Sequence, residues 1–533
     1  MTALGASEPR TTTPITPASN RPYQTPWGCP CTSATIPRIK QIALAVSRTP
    51  KVPNTTPLDL TNGSGVVFVP VSMNKTFTPD LDPETLDRLR SYAGRFRDLF
   101  NRPRQAAWCG VYLRGLITDG DRKSAEPIAN RVPLPPDLEV SDPDQALQQF
   151  LGQSTWDEQA VWRRYRQAMA DEFAGPDGIF VIDDTTFPKQ GKHSVGVQRQ
   201  HCGALGKKAN CQCGVSVHYV GAKGHYPLDM RLYLPDSWLG DKKRLDKAEV
   251  PQAQRRALTK GQIALALLDR VRSEGLAGKV VLADAGYGVS GPFREGLAQR
   301  GLHYIVGVTD EMVVFTEEPI WDPPGRADRP AGTGGRPRVR ARLGARSPRP
   351  ISLKDLAART PLAEVTWRPG TKGPMTGKFA WLRVWPAGGW ATGECAGAAA
   401  IWLLIEEQAD GTIKSAFSNL PATASRIKAV RLWRSRWPVE QGYQQMKEEL
   451  GLDHYEGRSW RGFHHHACLV MLAYGFLALE QRRLKQEPTK TPARRGKKGV
   501  HSRSSPCRQS AGRSRSSSHR CAATIATTVA ARP

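Results

Sequence analysis

The hydrophobic positions between residues 79 and 174 recur at helical spacing. Leu86, Leu89 and Tyr92 stand three residues apart, and arginines occupy many of the positions between such residues. A period of three to four residues predicts amphipathic helices. Because these helices are rich in arginine, we interpret residues 73–175 as a helical DNA-binding domain. The alternative is a solvated helix face that merely carries positive charge.

Residues 176–310 change to short apolar runs separated by glycines, which is the pattern of strands. The run from Ile179 to Ile182 ends in two aspartates, and the run from Gly214 to Val220 alternates between apolar and polar residues. An amphipathic helix is predicted over Thr259 to Arg272, and the apolar run that begins at Val280 follows it. Strands, then a helix, then a strand that ends in aspartate predict a mixed α/β sheet with acids at strand ends.

Residues 311–420 change the pattern again. Short aromatic strands, such as the one that begins at Phe379, alternate with a stretch from Pro323 to Pro350 that holds eight arginines and one aspartate. We expect a β-rich insertion that includes a flexible basic loop. Residues 421–485 return to helical spacing and bear Glu440, so the predicted fold is an α/β mixed-sheet domain in two parts, preceded by helices.

Both ends of the chain differ from this folded middle. Residues 1–72 are rich in threonine, proline and serine and show little periodicity. Residues 488–533 contain eleven basic residues and no acidic ones. Neither segment has enough apolar residues to bury a core. We therefore expect a disordered extension at residues 1–72 and a disordered basic tail at residues 486–533.

The overall charge adds a partner to this picture. Lysine and arginine number 76 against 49 acidic residues, which gives a formal net charge of +27. A charge of this size indicates a polyanion, usually nucleic acid. No run of about 18 apolar residues is present, so no membrane partner is expected. Ten cysteines at irregular spacing favour a reduced, cytoplasmic protein over a disulfide framework.

The most specific chemical signal is formed by Arg436, Glu440 and Lys447, which stand at i, i+4 and i+11. At about 100° per helical residue, their side chains fall within roughly 40° of one another. An apolar stripe that includes Val439 and Tyr443 runs beside them. A carboxylate flanked by two cations on one helix face suits a metal ligand beside phosphate contacts.

Two further acidic sites follow apolar, strand-like runs: the pair Asp183 and Asp184, and Asp284. Consecutive strand residues face opposite sides, so only one of the pair can point directly at a shared metal. Aspartates and a glutamate from distant segments can hold two divalent ions for phosphodiester chemistry. Hard oxygen ligands of this kind suit Mg²⁺, for which Mn²⁺ can substitute.

Together these sites resemble the bacterial insertion-sequence transposases of the DDE class. The nearest subgroup carries a Tyr-x2-Arg-x3-Glu-x6-Lys signature. Arg436, Glu440 and Lys447 match that signature at the right spacing, whereas Trp433 stands at the tyrosine position. The resemblance extends from about Met73 to Gln481, and it implies a ribonuclease-H-like catalytic domain.

The resemblance also implies a set of metal ligands and DNA contacts. Similar proteins place their first acid just before Thr-Thr, which selects Asp184 and leaves Asp183 as the runner-up in a supporting position. Asp284 and Glu440 complete the expected catalytic and metal-binding set. The implied DNA contacts come from Arg436, Lys447 and Trp433 and, in the loop after the first acid, from Lys189.

The function that the resemblance implies is DNA transposition. Such a protein binds the terminal inverted repeats of its element, cleaves the DNA and joins the 3′ ends to target DNA, as a homodimer on paired ends at the nucleoid. One alternative is a metal-dependent DNA endonuclease on the same fold without strand transfer. Another is a DNA-binding relative that has lost catalysis, against which the presence of all three acids argues.

Two other clusters contain metal-binding residue types. His201, Cys202, Cys211 and Cys213 are spaced more tightly than zinc ligands usually are, so we prefer buried thiols to a zinc site. The run His464–His466 stands at the start of an apolar helix. We expect a phosphate-facing or capping position for these histidines rather than a metal cluster.

Overall fold

The structure, a computed structural model, describes three stretches of the chain: residues 81–325, 338–370 and 373–486. The predicted disordered extension at residues 1–72 lies outside the described residues. So does the predicted basic tail from residue 487 onward, as well as the middle of the predicted basic loop.

Among the described residues, five α-helices precede the first strand. They are α1 (Pro83–Gly94), α2 (Pro103–Ile117), α3 (Ala125–Arg131), α4 (Pro143–Gly152) and α5 (Glu158–Phe173). Proline occupies the first turn of α1, α2 and α4, where its missing N–H costs no hydrogen bond. The side chains of Asp82, Asp142 and Asp157 cap α1, α4 and α5 by accepting a backbone N–H.

A mixed sheet follows these helices. Its first six strands are β1 (Ile179–Pro188), β2 (Gln198–Cys202), β3 (Lys207–Gly221), β4 (Gly224–Leu232), β5 (Val280–Ala283) and β6 (His303–Val308). β3 pairs antiparallel with β1 on one side and with β2 and β4 on the other. β5 lies parallel to β1, and β6 lies parallel to β5. The predicted α/β class with a mixed sheet is therefore confirmed.

Helices connect these strands. They are α6 (Asp236–Leu239), α7 (Lys242–Lys247), α8 (Lys260–Ser273), α9 (Ala285–Gly288) and α10 (Gly291–Gln299). α8 is the helix that the sequence predicts over Thr259 to Arg272. It begins with a capping box, in which the Thr259 hydroxyl accepts the Gln262 N–H while the Gln262 side chain accepts the Thr259 N–H.

The described part of residues 311–420 holds eight strands. They are β7 (Val313–Phe315), β8 (Trp321–Asp322), β9 (Arg342–Leu343), β10 (Ile351–Ser352), β11 (Ala363–Gly370), β12 (Gly373–Pro386), β13 (Ile401–Glu407) and β14 (Ile413–Ser418), with α11 (Leu353–Arg359) between β10 and β11. All of these strands except β8 and β9, which form a separate pair, extend the same sheet. β12, β13 and β14 form an antiparallel run, and β14 pairs antiparallel with β6. The insertion is thus joined to the sheet that carries the aspartates.

Part of the predicted basic loop from Pro323 to Pro350 lies within the described residues and contains a short strand. β9 lies there and pairs with β8, so that Leu343 stands opposite Trp321. Arg340 pairs with Glu394 at 2.8 Å. This part of the stretch therefore combines a short cross-strand pairing with an exposed ion pair.

Three helices complete the described chain: α12 (Arg426–Arg434), α13 (Trp437–Glu448) and α14 (Trp460–Gln486). Among the described residues, α14 alone is long and apolar enough to cross a membrane, and 94% of its apolar window is buried. It packs against α2, α4, α5 and β4. α14 is therefore a core helix shared by the N-terminal helices and the sheet.

The expectation of a capping or phosphate-facing position for His464–His466 is wrong, because all three side chains are buried in α14. The Nδ1 atom of His464 hydrogen-bonds the Trp460 carbonyl at 2.9 Å. The His465 ring stacks on Trp156 with ring centroids 3.7 Å apart, and the Nδ1 atom of His466 hydrogen-bonds the Tyr112 hydroxyl at 2.8 Å. Burial lowers the pKa of these three rings to about 3, 4 and 3 respectively.

Candidate active site

The sheet brings the separated aspartates to neighbouring strands. Val181 of β1 pairs with Leu282 of the parallel strand β5. Two residues further along each strand, Asp183 and Asp284 continue the same face, because side chains alternate with a period of two. This placement follows from strand register alone, before any side-chain contact is considered.

Asp183 faces the helix that bears Glu440. It stands opposite Ser216 of β3, and the Ser216 hydroxyl forms a short hydrogen bond with the hydroxyl of Tyr443 in α13. The Asp183 carboxylate oxygen Oδ2 lies 3.4 Å from Nη1 of Arg436. Burial raises the pKa of Asp183 to about 7; Arg436 opposes the rise, and the nearby Asp284 adds to it.

Asp284 follows β5 and precedes α9, where the backbone has no room to move. A Cβ atom on Gly288 would lie 1.9 Å from the Gly307 carbonyl oxygen, and one on Gly307 would lie 2.8 Å from the Ala285 nitrogen. The two glycines therefore let α9 lie directly against β6. The Oδ1 atom of Asp284 is buried and has no hydrogen-bond partner. Burial raises the pKa of Asp284, and Arg436 opposes this shift.

Arg436 connects the three acids. It occupies the N-cap position of α13, and Pro438 follows in the first turn. Its Nη2 atom donates to Oε1 of Glu440 at 2.6 Å, while Nη1 lies against Asp183. Burial works to lower the pKa of Arg436, but the carboxylates of Asp183, Glu440 and Asp284 outweigh it and raise that pKa. Arg436 is thus the shared counter-ion of acids from β1, the end of β5 and α13.

Asp184 lies on the opposite face of β1. Its Oδ2 atom pairs with the Lys260 ammonium at 2.9 Å and accepts the Tyr287 hydroxyl at 3.3 Å. Lys260 is the first residue of α8, so this helix supplies the partner on that face. The two adjacent aspartates therefore have different cations on different sides of one strand.

The three other predicted DNA contacts make hydrogen bonds within the protein. Lys447 donates to the Thr186 carbonyl at 3.1 Å, and Lys189 donates to the Tyr455 carbonyl at 2.6 Å. Burial lowers the pKa of both lysines. The Trp433 indole N–H donates to the buried Glu406 carboxylate at 2.8 Å. Lys447 thus contacts β1 near the acids, whereas Trp433 turns toward β13.

Sequence reasoning missed two groups around the acids. The first is Lys260, which has no signal beyond its place at a helix start. The second is the chain of hydrogen bonds from Tyr443 through the Ser216 hydroxyl to Nε2 of His218, where the last distance is 2.8 Å. Tyr443 stands three residues after Glu440, one turn along the same face, and only its apolar stripe was visible in the sequence.

The cysteines do not gather into a metal site within the described residues. Cys202, Cys211 and Cys213 are free and buried, which confirms the prediction of buried thiols. Over the described stretches, no group of three His, Cys, Asp or Glu residues is arranged to hold a metal. At the acids, the guanidinium of Arg436 contacts both Asp183 and Glu440.

The acids nevertheless fit a divalent ion in their chemistry. Asp183, Asp284 and Glu440 offer only carboxylate oxygens, which are the hard ligands that Mg²⁺ and Mn²⁺ prefer. The Oδ1 atom of Asp284 is buried and makes no ion pair within the described residues, while the Arg436 guanidinium and the backbone N–H groups of Gly286 and Tyr287 favour the charged form of this carboxyl. Burial raises the pKa of Asp183 and Asp284 because it disfavours their charged forms, and a cation beside them would offset that cost.

Comparison with known proteins agrees with this chemistry. Residues 95–374 match the model of a family described as DDE superfamily endonuclease, a stretch that includes the three aspartates and ends before α13. Over 203 residues the chain is 33% identical to the probable transposase for insertion sequence element IS701 of Microchaete diplosiphon. That similarity covers 38% of this chain and 48% of the relative, so the chain spans about half the length of that curated protein.

One solved structure also aligns with the chain. It is the crystal structure of the NurA nuclease from Sulfolobus solfataricus, at 10% identity over 54% of this chain and 86% of that chain. The TM-score is 0.23, so this alignment carries no argument about the fold or the function.

Proposed function

The chain belongs to the DDE superfamily of endonucleases, and from that premise we propose that it is the transposase of an insertion sequence. It binds the terminal inverted repeats of the element, cleaves the DNA and joins the 3′ ends to target DNA. The observation that carries the proposal is the meeting of Asp183, Asp284 and Glu440, from three distant parts of the chain, at Arg436.

Members of this superfamily use divalent metal ions, and we propose Mg²⁺ as the ion, with Mn²⁺ as a substitute. Asp284, Glu440 and one aspartate of β1 would hold it. When bound, it would activate the attacking hydroxyl or water and stabilise the leaving oxygen. The geometry favours Asp183 as the β1 ligand, since it lies on the face of Glu440. Asp184, which the signature selects, is the alternative because its carboxylate is paired with Lys260.

The remaining roles belong to side chains that position DNA. Arg436 can grip a phosphate through two N–H groups, whereas Lys447 acts as a point charge next to β1. The arginine-rich helices α1 to α5 are proposed to bind the DNA duplex, and the β-rich extension of the sheet to contact the DNA ends. Lys189 and Trp433 belong to this proposal with less support, because both donate to protein acceptors in the described structure.

The strand order supports a ribonuclease-H-like sheet, which we propose as the fold of the catalytic part. Three antiparallel strands, β1, β3 and β4, are followed by β5 and β6 parallel to β1. Two copies of the chain, each on one DNA end, are proposed to act together at the nucleoid in the cytoplasm, where the DNA substrate is found.

The proposal is tested with DNA that carries the inverted repeats flanking the gene. Incubation with Mg²⁺ and a supercoiled target plasmid is expected to yield cleaved ends and joined products. Glu448→Gln serves as the control on the same helix, since Glu448 is exposed and bonded only to Gln444. Cleaved DNA without joined product would support an endonuclease that lacks strand transfer. Binding without cleavage would identify a DNA-binding relative and overturn the proposal.

A further inference from the structure

We infer that Arg436 closes the metal site in the free protein and that a DNA phosphate opens it. This inference rests on the proposed function. It states that metal and DNA bind to the same site cooperatively, because both act on the guanidinium of Arg436.

The first step is the position of the guanidinium. Arg436 contacts Asp183 of β1 and Glu440 of α13 at once, with N–O distances of 3.4 and 2.6 Å. A divalent ion held by the same two carboxylates needs their oxygens at about 2.0–2.1 Å for Mg²⁺. An ion that joins Oδ2 of Asp183 to Oε1 of Glu440 needs the space between these two oxygens, which the guanidinium of Arg436 occupies. The ion and the bridging guanidinium therefore compete for one place.

The second step is electrostatic. A guanidinium and a divalent cation in contact with the same carboxylates repel each other, and this repulsion is strong where water is largely excluded. Asp183 is a site of that kind, since its side chain is only 14% exposed. Meanwhile Oδ1 of Asp284 is buried and accepts no hydrogen bond from Arg436, so Arg436 satisfies the acids only in part. The carboxylates are therefore placed to bind an ion, but the guanidinium of Arg436 excludes the ion from the space between Asp183 and Glu440.

The third step is the ligand that can move Arg436. A phosphate accepts two parallel N–H bonds from an arginine and so competes well with two separate carboxylates. The direction from which it can arrive is open, because Glu440 is 48% exposed and Trp437, beside Arg436 at the start of α13, is 55% exposed. A backbone phosphate of DNA that docks there would turn Arg436 outward and release Asp183 and Glu440 together.

The consequence is a reciprocal coupling. If DNA raises the affinity for metal, metal must raise the affinity for DNA by the same factor. Lys447 supplies a matched comparison: it is a cation on the same helix, but its ammonium donates to the Thr186 carbonyl and touches none of the three acids. Removing Lys447 changes the local charge by one unit without breaking the bridge.

The test measures Mn²⁺ binding to the full chain by titration calorimetry, without any cleavage readout. Arg436→Gln is expected to bind Mn²⁺ at least about tenfold more tightly than wild type, whereas Lys447→Gln should change the affinity by less than about threefold. Arg436→Lys keeps the charge but cannot bridge two carboxylates, so an intermediate affinity is expected. Thermal unfolding of each variant confirms that it is folded.

A second set of titrations adds a 30-base-pair blunt duplex at low salt. This duplex should tighten Mn²⁺ binding to wild type several-fold and leave the affinity of Arg436→Gln unchanged. Two results without DNA would overturn the inference while the proposed function stands. The first is Mn²⁺ binding by Arg436→Gln that is no tighter than that of wild type. The second is a tightening of Mn²⁺ binding in Lys447→Gln as large as that in Arg436→Gln. Absence of Mn²⁺ binding in every protein, or binding that survives Asp284→Ala and Glu440→Ala, would overturn the proposed metal site as well.

Discussion

Two buried clusters of ionisable side chains invite comparison, the histidines of α14 and the acids around Arg436. In the histidine cluster the rings bond to carbonyls or to a tyrosine hydroxyl, and burial lowers each pKa so that the rings are neutral. In the acid cluster one oxygen of Asp284 has no partner, and three carboxylates share one guanidinium. The satisfied hydrogen bonds of the histidines fit a structural role, whereas buried carboxylates of raised pKa gathered at one guanidinium fit a functional site.

The largest expected effect separates the two aspartates of β1. If the acid cluster is the catalytic one, Asp183→Ala, Asp284→Ala and Glu440→Ala each lower the single-turnover cleavage rate by about a thousandfold or more, since each removes a metal ligand. DNA-end binding should stay within a few fold. Asp184→Ala is expected to be milder. An inactive Asp184→Ala beside an active Asp183→Ala would reverse the assignment and restore the choice that the signature makes.

The next effect concerns the histidine cluster. His465→Ala removes a ring stacked on Trp156 and a partner of the Leu151 carbonyl, so it should lower the free energy of unfolding by about 2–4 kcal/mol. Urea denaturation measures this value, and His201→Ala, an exposed histidine, should change it by less than about 0.5 kcal/mol. The fraction of His465→Ala that remains folded should cleave DNA at the wild-type rate. A specific loss of cleavage would assign the histidines to the site.

A third prediction uses pH, because the clusters respond with opposite signs. The pKa of Asp183 is raised to about 7 from its ordinary value of 3.8, so the native state binds an extra proton between those values and loses stability as pH rises through this window. The pKa of His466 is lowered to about 3, so its contribution is lost as pH falls below about 6.5. The two trends partly cancel between pH 4 and 7.

Asp183→Asn removes one of these trends. Its stability relative to wild type should grow by about 1–3 kcal/mol from pH 5 to pH 7 and then stay level. Urea denaturation at pH 5, 6, 7 and 8 measures this difference, with Asp137→Asn, an exposed aspartate, as the control. Parallel curves for Asp183→Asn and wild type would mean that the pKa of Asp183 is not raised by burial among the acids around Arg436.

The smallest expected effect concerns Lys447, which resembles the histidines in having a protein partner and the acids in its position. Its ammonium has a carbonyl partner, yet it lies close to the acids. Lys447→Ala should lower the cleavage rate by about tenfold or more while reducing the salt slope of DNA binding by about one unit at most, as for a single phosphate contact. Binding across a salt series and single-turnover cleavage measure the two quantities. A wild-type cleavage rate would place Lys447 with the structural residues.

The sequence predicted the parts of the fold that are encoded locally. Hydrophobic period identified the N-terminal helices and α8, and apolar runs located β1 and β5 with their aspartates. It could not show that residues 311–420 continue the same sheet, because the pairing of β14 with β6 joins residues more than a hundred positions apart. The histidine run was misjudged for a related reason: its partners Trp156 and Tyr112 lie more than three hundred residues away.

The candidate site shows the same division. Spacing on one helix was enough to place Arg436 and Glu440 next to each other, and their contact confirms that spacing argument. Alternation along β1 showed that only one of Asp183 and Asp184 could face Glu440, but not which one. That choice depends on which helix packs on each side of the strand. The sequences of α13 and α8 do not show on which face of the sheet each helix lies.

The position of α14 has a consequence for synthesis of the chain. The N-terminal helices bury their apolar faces against this helix, which is the last described element to leave the ribosome. About 340 residues separate the end of α2 from the start of α14, so at roughly 5–20 residues per second those faces wait on the order of 20–70 seconds for their partner. During that interval the apolar faces of the nascent helices are exposed and prone to aggregation. A rapid rise in synthesis should therefore increase the demand for chaperones before it increases the amount of active protein.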